Sequence, residues 1–583
     1  MPHLLQIKNL SVDFITENET TNAVKNISFD VSKNEIVALV GESGSGKSVT
    51  SLSILQLLPS PPAKYSSGEI LFNENESVNL LSLKQKDLQI IRGNKIAMIF
   101  QEPMTSLNPV LSCGEQVMEA LLKHKKTLPD GRQVSATAAK EKTIEWFNRV
   151  KLPSPAAIFK RYPHQLSGGQ KQRVMIAMAL CCEPSLLICD EPTTALDVTV
   201  QKTILILIKE LQLQTGMGVI FITHDLGVVA EIADRAVIMY KGEIVEQNTV
   251  KNIFFNPLHP YTKGLIACRP LNHKKGERLP VVSDFLDADE KKLWATQKTP
   301  AANSSEALIV NNNTESNSSS KIIEVKNLSV HFPSKKTFLG KTLEYTKAVD
   351  DISFDVFKGE TLGLVGESGC GKTTLGRALL RLIEPTSGKI IFNGKDLTSI
   401  PSTDLKTVRK EMQIVFQDPY SSLNPRISIG DAIIEPMKVH GLHNSDKQRK
   451  EKMVDLLEQV DLSSKFINRY PHEFSGGQRQ RIVIARALAL NPSFIVCDES
   501  VSALDVSVQA QVLNLLNDLK KKYNYTIIFI SHDLSVVRYM SDRVLVMYKG
   551  KIEESGDAEE IYLHPKSEYT KQLIASVPKG ITA

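Results

Sequence analysis

The chain has 583 residues, which is too long for a single hydrophobic core and predicts several domains of ordinary size. Hydrophobic residues make up 42% and charged residues 23%, the balance of a globular protein, and the net charge of +5 is too small to argue for nucleic-acid binding. No apolar run approaches the roughly 18–20 residues that cross a bilayer, and the N-terminus lacks the layout of a signal peptide. We therefore expect a cytosolic protein that binds no nucleic acid and needs a partner for any role at a membrane.

The first predicted elements are strands, and they occur twice. Stretches that end near Phe14 and begin at Ala23 alternate apolar and polar residues at period two, which predicts half-buried strands. The same pattern recurs in the second half of the chain, around Phe332 and after Ala348. Short apolar runs over residues 36–40 and 361–365 predict buried strands that lead directly into glycine-rich loops.

Each of these loops matches the P-loop pattern G-x-x-x-x-G-K-[ST]. Glycines let backbone N–H groups curl around phosphate oxygens, the lysine neutralises the β- and γ-phosphates, and the Ser or Thr hydroxyl can bind Mg²⁺. Two matches inside a longer repeat predict two sites for nucleoside triphosphate. The predicted phosphate-binding residues are Gly41, Ser43, Gly44, Ser45, Gly46, Lys47, Ser48 and Val49, and Gly366, Ser368, Gly369, Cys370, Gly371, Lys372, Thr373 and Thr374.

Further along, four short motifs recur in the same order in both halves: Phe-Gln-acid-Pro, Ser-Gly-Gly-Gln, an apolar strand that ends in Asp-Glu, and a later His-Asp. Ser167 precedes Glu191 by 24 positions and Glu191 precedes His224 by 33, and the second half repeats both spacings. The distance from the P-loop to the glutamine motif differs between the halves. The rigid spacing predicts one catalytic frame per half, with loops and an inserted helical region upstream of it.

Between the halves the composition changes sharply, and Asn and Ser dominate residues 311–320. Such a stretch has almost nothing to bury. We predict a first domain over residues 1–273, a flexible linker over 274–320 and a second domain over 321–583. A coil of about 45 residues has an end-to-end distance near 35–40 Å, enough for the two domains to face each other.

The combination of P-loop, Ser-Gly-Gly-Gln, Asp-Glu strand end and histidine resembles an ABC-type ATPase over nearly the whole chain. The resemblance implies an α/β fold of two tandem P-loop ABC ATPase domains. Each would have a RecA-like α/β core, an antiparallel β subdomain and a helical subdomain. It also implies ATP and Mg²⁺ as the bound groups.

The resemblance assigns roles to the acidic, amide and histidine residues. A carboxylate at the end of a buried strand can hold Mg²⁺, usually through water, and the next residue can polarise the attacking water. The predicted Mg²⁺ ligands are Ser48, Gln101, Asp190, Thr373, Gln417 and Asp498. The predicted catalytic residues are the glutamates Glu191 and Glu499, with the histidines His224 and His532 contacting the γ-phosphate.

The Ser-Gly-Gly-Gln turns enter a helix, whose N-terminus attracts anions. The resemblance implies that the two halves pair within one molecule, head-to-tail, so that each turn binds ATP held by the other half. Phe14 and Phe332 have two readings: stacking on adenine, or packing toward the core. The turn residues are Ser167, Gly168, Gly169 and Gln170, and Ser475, Gly476, Gly477 and Gln478.

Two further features resemble the oligopeptide/dipeptide branch of bacterial import ATPases. These are the Leu-Asn-Pro runs that end at Pro109 and Pro425, and the tails that begin His259-Pro-Tyr and His564-Pro. This branch implies two transmembrane permease subunits, an extracytoplasmic solute-binding protein and a location at the cytoplasmic face of the inner membrane. Some relatives have a cysteine cluster after the first tail, but here only Cys268 lies there, so we expect no iron–sulfur cluster. The transported solute, the identity of the permeases and the relative rates of the two sites stay open.

Other classes of ABC protein remain as alternatives. A soluble factor acting on ribosomes also has two such domains, but its usual linker is a long charged helical arm. A DNA-repair ATPase of this fold would need cysteine clusters that bind zinc, which the sequence lacks, and the tails disfavour an exporter, which is a lesser alternative.

Overall fold

The computed structural model describes residues 3–16, 19–74, 76–101, 106–125, 133–194, 196–286, 320–336, 342–401, 403–502, 504–578 and 580. The chain divides into two compact units. The first extends to Ile266 and the second from Ala267 to Val577, except that Asp197–Thr199 group with the second and Pro578 groups with the first. This boundary falls a few positions before the predicted one at residue 273.

The first unit contains two sheets. An antiparallel four-stranded sheet has the order β2-β1-β4-β5, and a six-stranded sheet has the order β10-β9-β3-β8-β7-β6, with only β10 antiparallel to its neighbour. The strands are β1 (Leu5–Ile15), β2 (Thr20–Val31), β3 (Ile36–Val40), β4 (Ala63–Asn73), β5 (Ser77–Asn79), β6 (Ile96–Ile99), β7 (Leu186–Asp190), β8 (Gly218–Thr223), β9 (Arg235–Tyr240) and β10 (Glu243–Thr249).

Most helices of the first unit follow strands of the larger sheet or form an insertion between β6 and β7, while α2 connects the two sheets between β5 and β6. They are α1 (Lys47–Ile54), α2 (Gln85–Ile91), α3 (Cys113–His124), α4 (Ala136–Arg149), α5 (Pro155–Phe159), α6 (Gly168–Leu180), α7 (Val198–Thr215), α8 (Leu226–Ile232), α9 (Val250–Phe255) and α10 (Pro260–Ala267).

The second unit repeats this arrangement, with sheets in the order β12-β11-β14-β15 and β16-β17-β18-β13-β19-β20. Its strands are β11 (Lys321–Lys336), β12 (Thr342–Phe357), β13 (Thr361–Val365), β14 (Ser387–Phe392), β15 (Lys395–Asp396), β16 (Met412–Val415), β17 (Phe494–Asp498), β18 (Thr526–Ser531), β19 (Arg543–Tyr548) and β20 (Lys551–Asp557). Its helices are α11 (Lys372–Leu379), α12 (Leu405–Glu411), α13 (Pro419–Ser422), α14 (Ile429–Val439), α15 (Asp446–Gln459), α16 (Gly476–Leu488), α17 (Val506–Tyr523), α18 (Leu534–Met540), α19 (Ala558–Leu563) and α20 (Glu568–Ser576).

The central strands are buried on both faces, which explains why their sequences are continuously apolar rather than alternating. In β8, Ile220 and Ile222 pack in a cluster with the antiparallel sheet, while Val219 and Phe221 pack in a second cluster with the helices of the insertion. The predicted fold class, with an α/β core, an antiparallel β subdomain and a helical subdomain in each half, is confirmed. Among the residues that the structure describes, no helix is long and apolar enough to cross a membrane.

The segment after α10 differs from the predicted flexible linker. Residues 274–286 contain a helical turn and bond to helices α17 and α18 of the second unit, in which they are grouped. Leu279 exchanges two hydrogen bonds of 2.9 Å with the side chain of Asn514, and the Tyr539 hydroxyl donates to the Glu277 carbonyl at 2.6 Å. The Asn/Ser-rich composition behind the prediction applies to the later residues, whereas Leu279 and Val282 are apolar and fully buried. Residues 287–319 lie outside the described residues.

We expect Asn514→Leu to release this segment. The substitution keeps the volume of the side chain but leaves the buried N–H and C=O groups of Leu279 without partners, at a cost of about 2–4 kcal/mol in the free energy of unfolding. Limited proteolysis followed by mass spectrometry should then show new cleavage within residues 274–286. Lys521→Ala, on the exposed face of the same helix, is the control. An unchanged cleavage pattern in Asn514→Leu would contradict the assigned docking.

Candidate active sites

Both P-loops follow the carboxyl end of the central strand of the larger sheet and lead into a helix that begins at the P-loop lysine. In the first unit Gly46 caps α1 with a φ of 100°, in the left-handed region. A Cβ there would lie 2.7 Å from the carbonyl oxygen of Ala23, so only glycine fits without a shift. Gly44 also has a left-handed φ but faces open space. The predicted phosphate loop therefore needs glycine at Gly46 for both space and backbone conformation, and at Gly44 for backbone conformation.

The P-loop lysine of each unit is buried and bonded to its own loop. Lys47 donates from Nζ to the carbonyl oxygens of Gly41 and Glu42 at 2.7 and 2.8 Å. Lys372 donates in the same way to Gly366 and Glu367 at 2.7 and 2.9 Å. These bonds hold each ammonium inside the loop that the phosphates would contact.

The residue after the lysine meets the strand-end aspartate. Ser48 Oγ donates to Asp190 Oδ1 at 3.2 Å, and Thr373 Oγ1 donates to Asp498 Oδ1 at 2.9 Å. Burial is the main cause that raises the pKa of Asp190 to about 6, with the charge of Glu191 adding to it. Burial likewise raises the pKa of Asp498. Each unit thus holds a carboxylate that lacks full solvation, beside a hydroxyl.

In the first unit, the glutamate after the aspartate is the centre of a small network. Gln101 Nε2 donates to Glu191 Oε2 at 3.2 Å, Thr194 Oγ1 donates to the same oxygen at 2.9 Å, and His224 Nδ1 lies 3.5 Å from Oε1. Burial opposes the charge of this carboxyl, but His224, Lys47 and Thr194 outweigh it and hold the pKa of Glu191 at about 2. Glu191 is therefore a fixed, fully ionised carboxylate at neutral pH.

The second unit repeats the glutamine and histidine contacts of this network, while the hydroxyl of Ser502, at the position of Thr194, makes no hydrogen bond. Gln417 Nε2 donates to Glu499 Oε2 at 2.7 Å, and His532 Nδ1 lies 3.6 Å from the same oxygen. Lys372 Nζ is 4.0 Å from Oε1 of this glutamate. Burial opposes ionisation here too, yet His532 and Lys372 hold the pKa of Glu499 below its usual range.

Both glutamates have a left-handed backbone. Glu191 and Glu499 each have a φ of 47°, which is uncommon for a residue with a long side chain. The N–H group of each donates to the neighbouring parallel strand, at Ile222 and Ile530, over 3.1 and 3.0 Å. Strained backbone of this kind persists where the surrounding structure fixes it, and it concentrates at functional sites.

The Ser-Gly-Gly-Gln turns begin helices α6 and α16, as predicted. Ser167 accepts from the N–H of Gln170 while its own N–H donates to the Gln170 side chain, a capping box that Ser475 and Gln478 repeat. A Cβ on Gly169 would lie 2.7 Å from Val200, so this glycine lets α6 pack against α7. Ser167 and Ser475 are exposed.

The two aromatic residues proposed for adenine differ in their surroundings. Phe14 packs partly buried against the apolar cluster of the antiparallel sheet. Phe332, at the corresponding place in the second unit, is 39% exposed. Adenine stacking stays a prediction for both.

Comparison with known proteins supplies the family. The family model described as ABC transporter matches residues 24–194 and 349–502, and the model described as oligopeptide/dipeptide transporter, C-terminal region, matches residues 245–286. The chain belongs to the ABC transporter family, in its oligopeptide/dipeptide branch. Each of its two units is an ABC ATPase domain that binds ATP, which confirms the resemblance inferred from the motifs.

Several curated ABC proteins are similar over nearly the whole of this chain. The chain is 45% identical over 581 residues to the glutathione import ATP-binding protein GsiA of Pectobacterium atrosepticum, with 99% of this chain and 89% of the relative covered. The proteins of the same name from Escherichia coli K12 and Salmonella paratyphi A are 46% and 47% identical, again over 99% of this chain and 91% of theirs.

The residues of this ABC ATPase fit a bound Mg²⁺. Hydroxyl, carboxylate and amide oxygens are the ligands that this ion takes in proteins, and each unit brings the first two within 3.2 Å of each other. The buried, incompletely solvated aspartates are groups whose charge a cation would balance. Ser48 with Asp190, and Thr373 with Asp498, would hold the ion. The absence of an iron–sulfur cluster stays a prediction, and Cys268 itself is buried.

Some residues of the ABC site were not predicted. Thr194, which bonds the catalytic glutamate candidate, gave no motif signal. Tyr261 and Tyr569 accept from P-loop N–H groups at 3.0 Å. Their signal was available, because each tyrosine follows its Asp-Glu glutamate by the same 70 positions.

We expect Asp190→Asn to stabilise this ABC protein at pH 8 in the absence of nucleotide and metal. The folded-state pKa of Asp190 lies above the unfolded value, so its contribution to stability is full below pH 3.8 and is lost as pH rises through about 6. This loss is on the order of 3 kcal/mol, and an amide avoids it. Thermal unfolding should show a higher midpoint for the variant at pH 8 and a shrinking difference toward pH 5. Asp498→Asn should behave alike, and a lower midpoint for Asp190→Asn at pH 8 would contradict the assigned burial cost.

Proposed function

We propose that this chain hydrolyses ATP to drive the import of peptides or peptide-like solutes through a bacterial membrane transporter. The observation that carries the proposal is the complete constellation in each unit: a lysine in a P-loop, a hydroxyl on a buried aspartate, and a glutamate bonded by glutamine and histidine. Neither unit lacks a member, so both are expected to hydrolyse ATP. The tail region that matches the oligopeptide/dipeptide model favours an importer over a ribosome factor or an exporter.

The proposed roles follow from the contacts. Lys47 and Lys372 neutralise the phosphates, and the N–H groups of the P-loops hold their oxygens. Ser48 with Asp190, and Thr373 with Asp498, would hold Mg²⁺, which would supply positive charge to balance that of the phosphates. Glu191 and Glu499 orient and polarise the attacking water. With a pKa near 2, Glu191 is a weak base, so positioning and electrostatics rather than strong basicity are its contribution.

The supporting side chains keep the glutamate in one place. Gln101 and Thr194 donate to one carboxylate oxygen of Glu191, and His224 lies beside the other. A hydrogen-bonded carboxylate loses little freedom when the water binds, which is the advantage of a preorganised site. His224 and His532 follow the carboxyl ends of β8 and β18, on the edge of the larger sheet from which the P-loop also begins. Their proposed role is to contact the γ-phosphate.

The proposed partners are two transmembrane permease subunits and an extracytoplasmic solute-binding protein, with this chain peripheral at the cytoplasmic face of the inner membrane. Apolar side chains close to Gln101 in the sequence are exposed, among them Phe100, Val110 and Leu111. A permease that buried them would connect the transporter directly to the residue that bonds Glu191. From the family resemblance we also propose that the two ATPase domains pair within one molecule, with each Ser-Gly-Gly-Gln turn acting on ATP of the other half.

The relatives named for glutathione import make glutathione the first solute to test. In the native host, the gene for this chain is deleted and complemented with the wild type or with Glu191→Gln/Glu499→Gln. Uptake of labelled glutathione, a dipeptide and a longer peptide is then measured. We expect the wild type alone to restore uptake of at least one of them. Restoration by the double variant, or no solute dependent on the chain, would contradict the proposed function.

A further inference from the structure

The tail helix of each unit is attached to the core sheet and then reaches the P-loop. In the first unit, the buried Glu246 on β10 accepts from the N–H groups of Leu258 and His259, both at 3.0 Å, just before α10 begins. In the second unit, Glu554 on β20 accepts from Lys566 and Ser567 at 2.9 and 3.1 Å, before α20. A carboxylate at a helix N-terminus satisfies its N–H groups and is favoured by the helix dipole. These bonds fix where each tail helix starts.

One tyrosine in each tail helix contacts the P-loop. Tyr261 is fully buried, and its hydroxyl oxygen accepts from the N–H of Glu42 at 3.0 Å. Its ring packs on Tyr240, at the end of β9, with 4.3 Å between ring centres. Tyr569 accepts from the N–H of Glu367 at the same 3.0 Å and packs on Tyr548 at the same 4.3 Å.

The two tails reach this contact from different sequences. The first reads His259-Pro-Tyr, whereas the second places Lys, Ser and Glu between Pro565 and its tyrosine. Ser567 takes the place of His259, because each accepts from the N–H of the tyrosine two positions later, over 3.2 and 3.1 Å. The His-Pro pair therefore shifts between the tails while the bond from the tyrosine to the P-loop is kept.

The residue that donates to the tyrosine also receives the P-loop lysine. The Glu42 N–H donates to Tyr261, and the Glu42 carbonyl accepts from Lys47 at 2.8 Å. On the other side of the loop, the Gly242 N–H donates to the carbonyl of Ser45 at 3.1 Å. The second unit has the same pair of bonds, from Lys372 to Glu367 and from Gly550 to Cys370. The start of each P-loop is thus held by the tail, and its middle by the turn between two core strands.

We propose that Tyr261 and Tyr569 are positioning residues for ATP binding: each fixes the backbone at the start of its P-loop and so presets the lysine and the phosphate-binding N–H groups. The inference concerns nucleotide binding, which follows from the family, and is independent of the solute that is imported. A hydrogen bond that preorganises a binding loop strengthens binding, because the loop loses less freedom when the ligand arrives.

The test is calorimetric titration of the full chain with Mg²⁺-ATP, in the Glu191→Gln/Glu499→Gln background so that turnover does not interfere. Tyr261→Phe keeps the ring against Tyr240 and removes the hydroxyl oxygen that accepts from the Glu42 N–H. We expect it to raise the Kd of one of the two sites about three- to tenfold, and Tyr261→Phe/Tyr569→Phe to raise both. Hydrogen exchange of the P-loop peptide that contains Glu42 should become faster in the variant.

The matched control is Tyr539→Phe, which removes a buried phenol that donates to the Glu277 carbonyl, away from the P-loops. It should lower the unfolding midpoint without changing either Kd for ATP. If Tyr261→Phe leaves both Kd values at the control level, or if Tyr539→Phe weakens ATP binding equally, the positioning role is overturned. Loss of solute uptake plays no part in this test, so its failure and that of the proposed import function can be told apart.

Discussion

Replacing Glu191 and Glu499 together with glutamine is expected to lower ATP hydrolysis about 10²–10⁴-fold, the range for a positioned acid–base group. An amide keeps the size of the side chain, but it cannot take a proton and polarises the attacking water less. It also removes the negative charge that Lys47 and His224 face in the first unit. ATP binding should persist, because both P-loop lysines keep their hydrogen bonds to carbonyl oxygens of their own loops. Steady-state phosphate release and equilibrium ATP binding, measured on one preparation, check both expectations.

Glu210→Gln is the matched control, because it makes the same chemical change away from the site. Glu210 forms a surface ion pair with Lys151 at 2.7 Å. It should hydrolyse ATP at the wild-type rate. The two single variants show whether the units contribute equally, which the sequence and the family leave open. Substantial turnover in the double variant would remove the assigned role of the two glutamates.

Lys47→Ala should abolish most ATP binding in the first unit. The Lys47 ammonium is buried and donates to the carbonyl oxygens of Gly41 and Glu42. Its loss removes these two hydrogen bonds and also the positive charge that would contact the phosphates. We expect the Kd of that site to rise about 10- to 100-fold, as for the loss of one buried charged hydrogen-bond partner. Total ATPase activity should fall far below half, because the predicted pairing makes each site depend on the other.

Lys95→Ala is the control for this change, since it removes a lysine that pairs with Glu74 at 2.8 Å outside the P-loop. Lys372→Ala provides the reciprocal measurement in the second unit. Activity at half of the wild-type value in either P-loop variant would mean that the two sites work independently. Unchanged activity would show that the altered site does not hydrolyse ATP in the wild type.

Much of the fold and of the site could be predicted, because the informative residues lie at the ends of parallel strands. The carboxyl ends of β3, β6, β7 and β8 meet at one edge of the sheet, so motifs far apart in sequence must converge there. The family resemblance assigned Lys47, Gln101, Asp190, Glu191 and His224 to one site, and this topology gives the physical reason for their convergence. The equal spacing in the second half supported the same assignment.

What the sequence did not predict depends on contacts between distant residues. The bond from Glu42 to Tyr261 spans 219 positions. The equal spacing of the two tyrosines marks them as a repeated feature, but it does not indicate a hydrogen bond to a P-loop amide. The left-handed backbone of Glu191 also has no sequence signal, since Asp-Glu at a strand end is compatible with ordinary backbone. Packing, not local propensity, decides both features.

The linker illustrates a different limit. The composition of residues 274–320 predicts a flexible coil because Asn and Ser dominate its end, although apolar residues lie near its start. Leu279 has no periodic pattern around it, yet its backbone bonds with Asn514 bury it. The position of Asn514 is occupied by Ile206 in the first half, and an isoleucine side chain cannot make these hydrogen bonds. This difference between the two halves was the available signal in the sequence.

The most direct measurement for the central claim is affinity purification of the tagged chain from detergent-solubilised membranes of its native host, with mass spectrometric identification of the proteins that accompany it. Glu191→Gln/Glu499→Gln is purified in parallel, and a tagged unrelated protein serves as the control for background. We predict that two permease subunits accompany the chain and that the purified complex hydrolyses ATP only when both glutamates are intact. Recovery with ribosomes, or without any membrane protein, would contradict its assignment as the ATPase of an importer.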